Sequence, residues 1–357
     1  MTQPLPVYAN ILNQPNALRQ SLQAFRNEGK GSLVQAAKAI LSARKVVVVS
    51  IGASYAASFP FIYKMAQLGI KVNLEDASEL LHYTHTAYDR NTVFILISRS
   101  GETIEITRLI EPLKKLGGTL IGITNVMDSS VAKGVDILLY LNSPADELIA
   151  IQTYSVTLQT LELLWQQIAG QFDTPQVQTH FDGVLDQFTE TLAVFDRHSP
   201  TWQNWFKQYE SVYLLARGAS QASACEGQLL FHEMAWTAAT FYTAGFFRHG
   251  PWEVMQEGFL GFIFAPNDNC YELNIRLAYD IANQHGNVCL ITHQIPGEFP
   301  SRIIPLIIPK VASGISPLME IIPIQFFIYQ WALWNGHNPG IFRASTAVTL
   351  SEGEPIV

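Results

Sequence analysis

The chain has 357 residues, of which 48% are hydrophobic and 15% charged, and its formal net charge is -8. This length exceeds that of a typical single domain and predicts two core-forming halves. Lysine and arginine total only 22 without a basic stripe, and no apolar run reaches the ~20 residues of a membrane span, so an extended nucleic-acid surface and a transmembrane segment are excluded.

The first half alternates strands with helices. Residues 10–42 have the pattern of helices interrupted by the turn EGKG, and the run KVVVVS at 45–50 then predicts a buried strand. Further strands are expected at 71–75, 92–97, 119–123 and 136–141, and helices near 55–68, 102–116, 127–133 and 150–170. Because parallel strands need covering crossovers, the alternation predicts a doubly wound parallel sheet with helices on both faces.

The second half repeats the opening of the first. VVVVSIGASYAAS at 46–58 matches VYLLARGASQASA at 212–224, which indicates an internal duplication. After a polar connection at 171–180, we expect a helix near 177–196, strands near 260–265, 288–292 and 303–308, and a last helix at 319–335. The sequence therefore predicts an α/β protein with a helical segment at 1–44, domains at 45–172 and 173–340, and a tail at 341–357.

The stretch SRSGET at 98–103 follows a predicted buried strand and precedes a predicted helix. Serine and threonine hydroxyls at a helix start can either cap the helix or, with the helix dipole, bind a phosphate. Gly52-Ala53-Ser54 follows the first strand, which would neighbour this one in a doubly wound sheet. The two turns together favour a phosphorylated ligand, whereas FAPNDNC in the second half lacks these hydroxyls.

Three motifs in order resemble those of the sugar isomerase (SIS) family: SIGAS at 50–54, SRSGET at 98–103, and FHEMAW followed by FFRHGP within 231–251. The resemblance implies two tandem flavodoxin-like SIS domains. It also implies a substrate-binding set that holds a sugar phosphate, namely Ser54, Ser98, Arg99, Ser100, Gly101, Thr103, Gln152 and Thr153. Arg99 stands where relatives have a glutamine, so it would either add charge at the phosphate or face solvent.

By the same resemblance, Glu233 would carry the proton between sugar carbons 1 and 2, and His249 would assist at the ring oxygen. Glu233 is on a mainly apolar helix, where burial could raise its pKa toward the working pH. His249 precedes Gly250-Pro251 in a turn, which suits a side chain presented to a ligand. In the family this histidine reaches the neighbouring subunit's site, which implies a homodimer.

Departures from the family pattern bear on the reaction. Leu230 and Ala347 stand where the isomerase half of glucosamine-6-phosphate synthase has lysines, and Phe246 stands where relatives have an acidic residue. The missing lysines favour the fructosamine-6-phosphate deglycase branch, or glucosamine-6-phosphate deaminase-like chemistry, because such substrates already contain the amine. No glutaminase activity is expected. A plain aldose–ketose phosphate isomerase and a non-catalytic phosphosugar sensor remain alternatives.

No cofactor and no metal are expected. The helix around His232-Glu233 lacks the second histidine of HExxH, and the His82 and His85 pair has no further ligand at metal-binding spacing. The sequence contains neither GxGxxG nor a Walker loop. Three cysteines in apolar surroundings without CxxC spacing favour a reducing compartment, and we expect a cytoplasmic protein.

Overall fold

A computed structural model describes residues 5–205, 209–295, 297–312 and 314–344. These residues form two compact units. The first-sheet unit comprises Asn13–Phe181, and the second-sheet unit comprises Asp182–Phe342 with the described residues up to Leu12. Each unit contains one five-stranded parallel sheet, which confirms the prediction of two tandem α/β repeats.

The sheet of the first-sheet unit has the strand order β2-β1-β3-β4-β5. Its strands are β1 (Lys45–Ser50), β2 (Val72–Asp76), β3 (Thr92–Ile97), β4 (Thr119–Thr124) and β5 (Ile137–Tyr140). All pairings are parallel, and β1 and β3 run in register, with Val49 opposite Leu96. Every residue of β3 is buried, as expected for a strand covered on both faces.

Helices flank this sheet, namely α2 (Lys30–Ser42), α3 (Ala53–Gln67), α4 (Ala77–Glu79), α5 (Ile104–Lys115), α6 (Ser130–Gly134) and α7 (Gln152–Ile168). The first helix of the chain is α1 (Pro6–Arg26), whose residues from Asn13 belong to this unit and contact α7, where Ser155 donates to Gln14 at 2.7 Å. A single π-helical turn, Leu80–Thr84, follows α4. The helix expected near 127–133 begins at Ser130, because the hydroxyl of Ser129 accepts the N–H of Ala132 and fixes the start of α6 there.

The second sheet repeats the topology of the first, with the order β10-β9-β8-β6-β7. Its strands are β6 (Ser211–Ala216), β7 (Ala239–Thr243), β8 (Phe259–Ala265), β9 (Asn287–Thr292) and β10 (Ile303–Ile307). The remaining helices are α8 (Pro175–His198), α9 (Gln221–Ala235), α10 (Ala244–Phe247), α11 (Tyr271–Asn283) and α12 (Ser316–Trp334). The edge strand β7 was not predicted, because its five residues are only partly buried and show no clear alternation.

In both sheets the order places the strand after the first crossover at the edge and the third strand beside the first. From the first strand the chain continues toward one edge of the sheet, and from the third strand it continues toward the other edge. Open α/β sheets bind ligands between two such strands, beyond their carboxyl ends. The crevice therefore lies between β1 and β3 in the first sheet and between β6 and β8 in the second.

Candidate active site

The loop SRSGET begins directly after β3, at the carboxyl end of the strand that neighbours β1. Gly52-Ala53-Ser54 begins one residue after Ile51, beyond the carboxyl end of β1. The two turns therefore share the crevice at which the strand order reverses, as their sequence positions predicted. Gly52 has a φ of 60°, a conformation that glycine adopts readily.

The hydroxyl groups of the loop accept backbone N–H groups. Ser98 Oγ accepts the N–H of Gly101 at 3.1 Å and lies 2.9 Å from Thr103 Oγ1. Ser100 Oγ accepts the N–H of Glu102 at 3.1 Å. One hydroxyl hydrogen of the Ser98–Thr103 pair is used between the two oxygens, so the other hydrogen of that pair and the hydrogen of Ser100 are available to a ligand. Ser98 is 2% exposed, while Ser100 and Thr103 are partly exposed.

The first turn of α5 has no side-chain cap. Thr103 is the N-cap residue, and its hydroxyl makes no capping hydrogen bond but is paired with Ser98. The alternative interpretation of SRSGET, in which Ser100 caps the helix, does not describe this loop, since Ser100 accepts only the N–H of Glu102, before the helix begins. The positive end of the α5 dipole is thus directed at the crevice, as in helix N-termini that bind anions.

Gly101 is required by the packing of the loop. Its φ is 68°, and a Cβ placed on it would lie 2.1 Å from Ser129 Oγ and 2.4 Å from Ser129 Cβ. The carbonyl of Gly101 also accepts the N–H of Val131 at 3.1 Å. The loop is therefore packed directly on the start of α6, and only a residue without a side chain fits.

Glu102 was not identified from the sequence as a functional residue, and it connects the same two elements. Its carboxylate accepts the backbone N–H and the hydroxyl of Ser130, each at 2.7 Å. An acidic side chain at the start of α6 is favoured by that helix's own free N–H groups. The carboxylate of Glu102 is thus hydrogen-bonded to the first residue of α6, and these bonds hold the loop against that helix.

Arg99 is partly buried, and part of its guanidinium is bonded within the chain. Its Nη1 donates to the carbonyl oxygen of Leu148 at 2.9 Å, and its own carbonyl accepts the N–H of Asn125 at 2.9 Å. The side chain of Asn125 in turn pairs twice with the backbone of Ser143, at 2.9 Å for both bonds. Arg99 therefore joins the 98–103 loop to the segment that leads from β5 into α7.

Gln152 and Thr153 lie at the start of α7, where Asp146 occupies the helix N-terminus. The carboxylate of Asp146 accepts the N–H groups of Ile151, Gln152 and Thr153 at 3.0 to 3.1 Å. It also accepts the hydroxyl of Thr153 at 2.5 Å. Gln152 is 1% and Thr153 2% exposed, so their side chains are committed to this helix start. An aspartate four residues before a predicted helix is a weak signal, and the sequence did not identify it.

Glu233 lies in the last turn of α9, in the second-sheet unit, and is partly buried. The helix ends at Trp236, which adopts the left-handed conformation with a φ of 49°. On the same helix Leu230 is fully buried and packs in the core. Glu233 is thus a partly buried residue in the last turn of a helix whose other face lies in the core.

His249 lies in the turn between α10 and Pro251, as predicted, and is exposed. Its backbone N–H donates to the carbonyl of Phe246 at 2.8 Å, and the adjacent Gly250 has a φ of 109°. Phe246 is 56% exposed and its ring lies 5.3 Å from that of Tyr242. The turn therefore presents an imidazole and an aromatic ring to solvent side by side.

Ala347 lies outside the described residues. Within the described part of the chain, no cluster of histidine, cysteine or carboxylate side chains has the arrangement of a metal site, and all three cysteines are free thiols. Among the helices described, none combines the length and apolarity needed to cross a membrane.

A model of the SIS domain matches the chain twice, at residues 39–168 and 206–332. A glutamine–fructose-6-phosphate aminotransferase (isomerizing) of Pyrobaculum aerophilum is 26% identical over 337 residues, which cover 92% of this chain and 54% of that protein. The chain thus spans about half the length of the curated relative.

Two solved structures share the fold. The C-terminal domain of glucosamine-fructose-6-phosphate aminotransferase from Francisella tularensis superposes with a TM-score of 0.84 at 20% identity, over 95% of this chain and 98% of that one. A glucosamine-6-phosphate deaminase from Thermotoga maritima superposes with a TM-score of 0.76 at 21% identity, over 96% of this chain and 99% of that one.

Proposed function

The chain belongs to the SIS domain family, and from this premise we propose that it is an enzyme acting on an amino-sugar phosphate. The 98–103 loop binds the phosphate, and Glu233 transfers a proton between sugar carbons 1 and 2. The reaction is the deglycation of a fructosamine 6-phosphate or the deamination of glucosamine 6-phosphate. The enzyme acts in the cytoplasm and uses no cofactor or metal.

The observation that carries the proposal is the uncapped start of α5 beside three hydroxyl groups. Ser98, Ser100 and Thr103 surround a helix N-terminus whose cap residue, Thr103, makes no capping hydrogen bond to the backbone of the helix. A phosphate monoester is dianionic near neutral pH, and each hydrogen bond from a neutral donor to a charged oxygen contributes roughly 1.5 to 3 kcal/mol. The arrangement matches the needs of that group without a cationic side chain. Ser54 lies across the crevice and contacts the sugar side.

Proton transfer at a carbon beside a carbonyl needs a base that later acts as an acid. A carboxylate that is partly withdrawn from water can serve both steps, and Glu233 is partly buried between apolar residues of α9. In the deglycation, Glu233 removes a proton from carbon 1 to form the 1,2-enaminol and returns a proton to carbon 2, which gives an imine at carbon 1. Water then adds to this imine, and the amine leaves as the aldehyde of the sugar phosphate forms. His249 assists at the ring oxygen. Because His249 is exposed, it is available to the site of a second copy of the chain, and we propose a homodimer.

Leu230, which stands where glucosamine-6-phosphate synthase has a lysine, favours the deglycase and deaminase reactions over amination. Leu230 is fully buried on α9 and has no amine with which to form an imine. A substrate that already contains its amine needs no such group.

The test is a substrate panel. The chain is incubated with fructosamine 6-phosphates, glucosamine 6-phosphate and fructose 6-phosphate, and the release of amine or ammonia is measured beside isomerisation. We expect amine release by the wild-type chain and by Glu257→Gln, a matched control because Glu257 is an exposed glutamate of the same unit. Glu233→Gln should bind the same compounds without turning them over. Equal turnover by Glu233→Gln would refute the assignment.

An aldose–ketose phosphate isomerase is the second candidate, because the curated relative is itself named as isomerizing. The same glutamate would move the proton, and no amine would leave. Isomerisation of fructose 6-phosphate without amine release would establish this reaction. Binding without any turnover by the wild-type chain would instead indicate a phosphosugar sensor.

A further inference from the structure

The second sheet has its own crevice, between β6 and β8, to which the proposed reaction assigns no role. Arg217 follows β6 directly, and Gly218 then turns the chain with a φ of 56° toward α9. After β8 the chain enters α11, whose N-cap residue Cys270 makes no side-chain hydrogen bond. His293 follows β9, the next strand of the sheet. Polar groups thus stand at the carboxyl ends of three neighbouring strands.

Arg217 and α11 are in direct contact. Nη1 of Arg217 donates to Oδ1 of Asn274 at 2.5 Å, and the arginine is partly exposed. Burial lowers the pKa of Arg217 from its ordinary value, and the neighbouring Arg248 adds to that effect. The guanidinium is therefore a partly desolvated cation with N–H groups beyond the one that Asn274 accepts.

Two buried hydrogen-bond donors on α11 have no partner. Asn274 is 1% exposed, and its Nδ2 makes no hydrogen bond in the described structure. Tyr271 lies one turn earlier on the same face, is 8% exposed, and its hydroxyl is also without a partner. Its ring lies 5.0 Å from that of His293, whose Nδ1 is likewise unpaired. Since buried donors without partners destabilise a fold, an occupant that accepts hydrogen bonds would stabilise the cluster.

We propose that this second crevice binds a small oxyanion, a phosphate or carboxylate group, between Arg217 and the first turn of α11. The guanidinium supplies charge-assisted hydrogen bonds, and Asn274 and Tyr271 supply neutral donors. The duplication thus yields two anion sites of different chemistry, the first with hydroxyl donors and the second with a guanidinium.

Two carboxyl groups lie near this crevice, and neither accepts a hydrogen bond from Asn274 Nδ2 or from the hydroxyl of Tyr271 in the described structure. Asp268 attracts Arg217 electrostatically and accepts the backbone N–H of Cys270 at 2.8 Å. Glu320 is fully buried and accepts the hydroxyls of Ser220 and Ser223, each at 2.8 Å. Burial raises the pKa of Glu320 to about 7, so this group carries only part of its charge at neutral pH. The donors that remain unpaired are those of Asn274 and Tyr271.

Calorimetric titration of the full chain with inorganic phosphate, and separately with acetate, tests the proposal. We expect two phosphate equivalents per chain in the wild type. Arg217→Gln should weaken one of them at least about tenfold, the loss expected for one charge-assisted hydrogen bond. Asn274→Asp keeps the acceptor for Arg217 and replaces the donor by a carboxylate oxygen, so the same equivalent should be lost from a folded chain. Arg302→Gln, at another partly exposed arginine of this unit, should leave both equivalents unchanged.

The acetate titration distinguishes a carboxylate guest from a phosphate guest at the second crevice. Ser98→Ala combined with Ser100→Ala separates this inference from the proposed function, because it should remove the other equivalent only. If Arg217→Gln and Asn274→Asp both titrate as the wild type does, the second site is refuted. A wild-type chain that binds one equivalent, lost with the loop serines, also refutes it. One equivalent lost with Arg217 instead would refute the first site and leave the second.

Discussion

Gly101→Ala perturbs the proposed phosphate loop at the point where it packs on α6. The new Cβ would lie 2.1 Å from Ser129 Oγ and 2.4 Å from Ser129 Cβ. Rotation of the serine hydroxyl can relieve only the first overlap, since the Cβ is fixed by the backbone. The hydroxyl is also committed, because it donates to Val126 O at 2.7 Å and accepts the N–H of Ala132.

The magnitude follows from two terms. The left-handed conformation at Gly101, with a φ of 68°, costs about 1 to 2 kcal/mol for an L-residue, and overpacking adds about 1 to 3 kcal/mol. We therefore expect a loss of roughly 2 to 5 kcal/mol in the free energy of unfolding of the first-sheet unit. The loop must shift to relieve the overlap, so phosphosugar affinity should fall as well.

Gly69→Ala is the matched control for this substitution. Gly69 has nearly the same φ, 73°, but nothing lies within 4 Å of a Cβ placed there. In Gly69→Ala the free energy of unfolding should fall by only about 1 kcal/mol, because the strain is partly offset by the lower conformational entropy of the unfolded chain. Urea unfolding of both variants, with phosphosugar titration of each, measures the difference. If Gly101→Ala is as stable as Gly69→Ala and binds as the wild type does, the packing argument is wrong.

Three further outcomes are expected. Ser98→Ala should weaken phosphosugar binding about tenfold in a titration, because it removes a hydrogen bond to a charged group. Ser42→Ala, which deletes an exposed hydroxyl of the same unit, should not weaken it. Equal affinities of the two variants would contradict the role of the loop. Arg99→Met removes the donor to Leu148, so KM for the sugar phosphate should rise while the affinity for inorganic phosphate is kept. A parallel loss of both would indicate direct phosphate contact instead. The pKa of Glu320 is raised to about 7 in the folded chain from an ordinary value of 4.5, so the free energy of unfolding should fall as the pH rises from about 4.5 to about 7. Glu320→Gln should flatten this fall in urea titrations at several pH values. An unchanged slope would refute the assignment.

The sign of the Glu320 effect follows from proton binding. Between the unfolded and the folded pKa, the folded chain binds more protons than the unfolded chain does, so acid favours folding in that window. The stabilisation is complete below the unfolded pKa and is lost as the pH rises through the folded value. Glu320 is fully buried, and its three serine partners reduce the shift without cancelling it.

Strands that are buried on both faces could be predicted from the sequence, because runs such as VFILI have one interpretation in an alternating α/β pattern. The loop after β3 could be located for the same reason, since a strand end and a helix start bound it. The edge strand β7 could not, because a short, half-buried segment lacks both a continuous apolar run and clear alternation.

The side-chain partners within the candidate site could not be predicted from the sequence, because they join residues that lie far apart along the chain. Arg99 contacts Leu148, which lies 49 positions further along the chain. Asp146 occupies the start of α7, and Glu102 binds the start of α6 at Ser130. A residue's type shows that it can donate or accept, but only the folded chain determines which of several neighbouring helix ends it reaches.

Solvent deuterium incorporation tests the central claim most directly. In D2O, the wild-type chain should place deuterium at carbon 1 or 2 of glucosamine 6-phosphate or fructose 6-phosphate, as detected by mass spectrometry. Glu233→Gln should incorporate it at least about 100-fold more slowly, the lower end of what a general acid–base group contributes, while Glu257→Gln behaves as the wild type. Incorporation by Glu233→Gln at the wild-type rate would contradict the account.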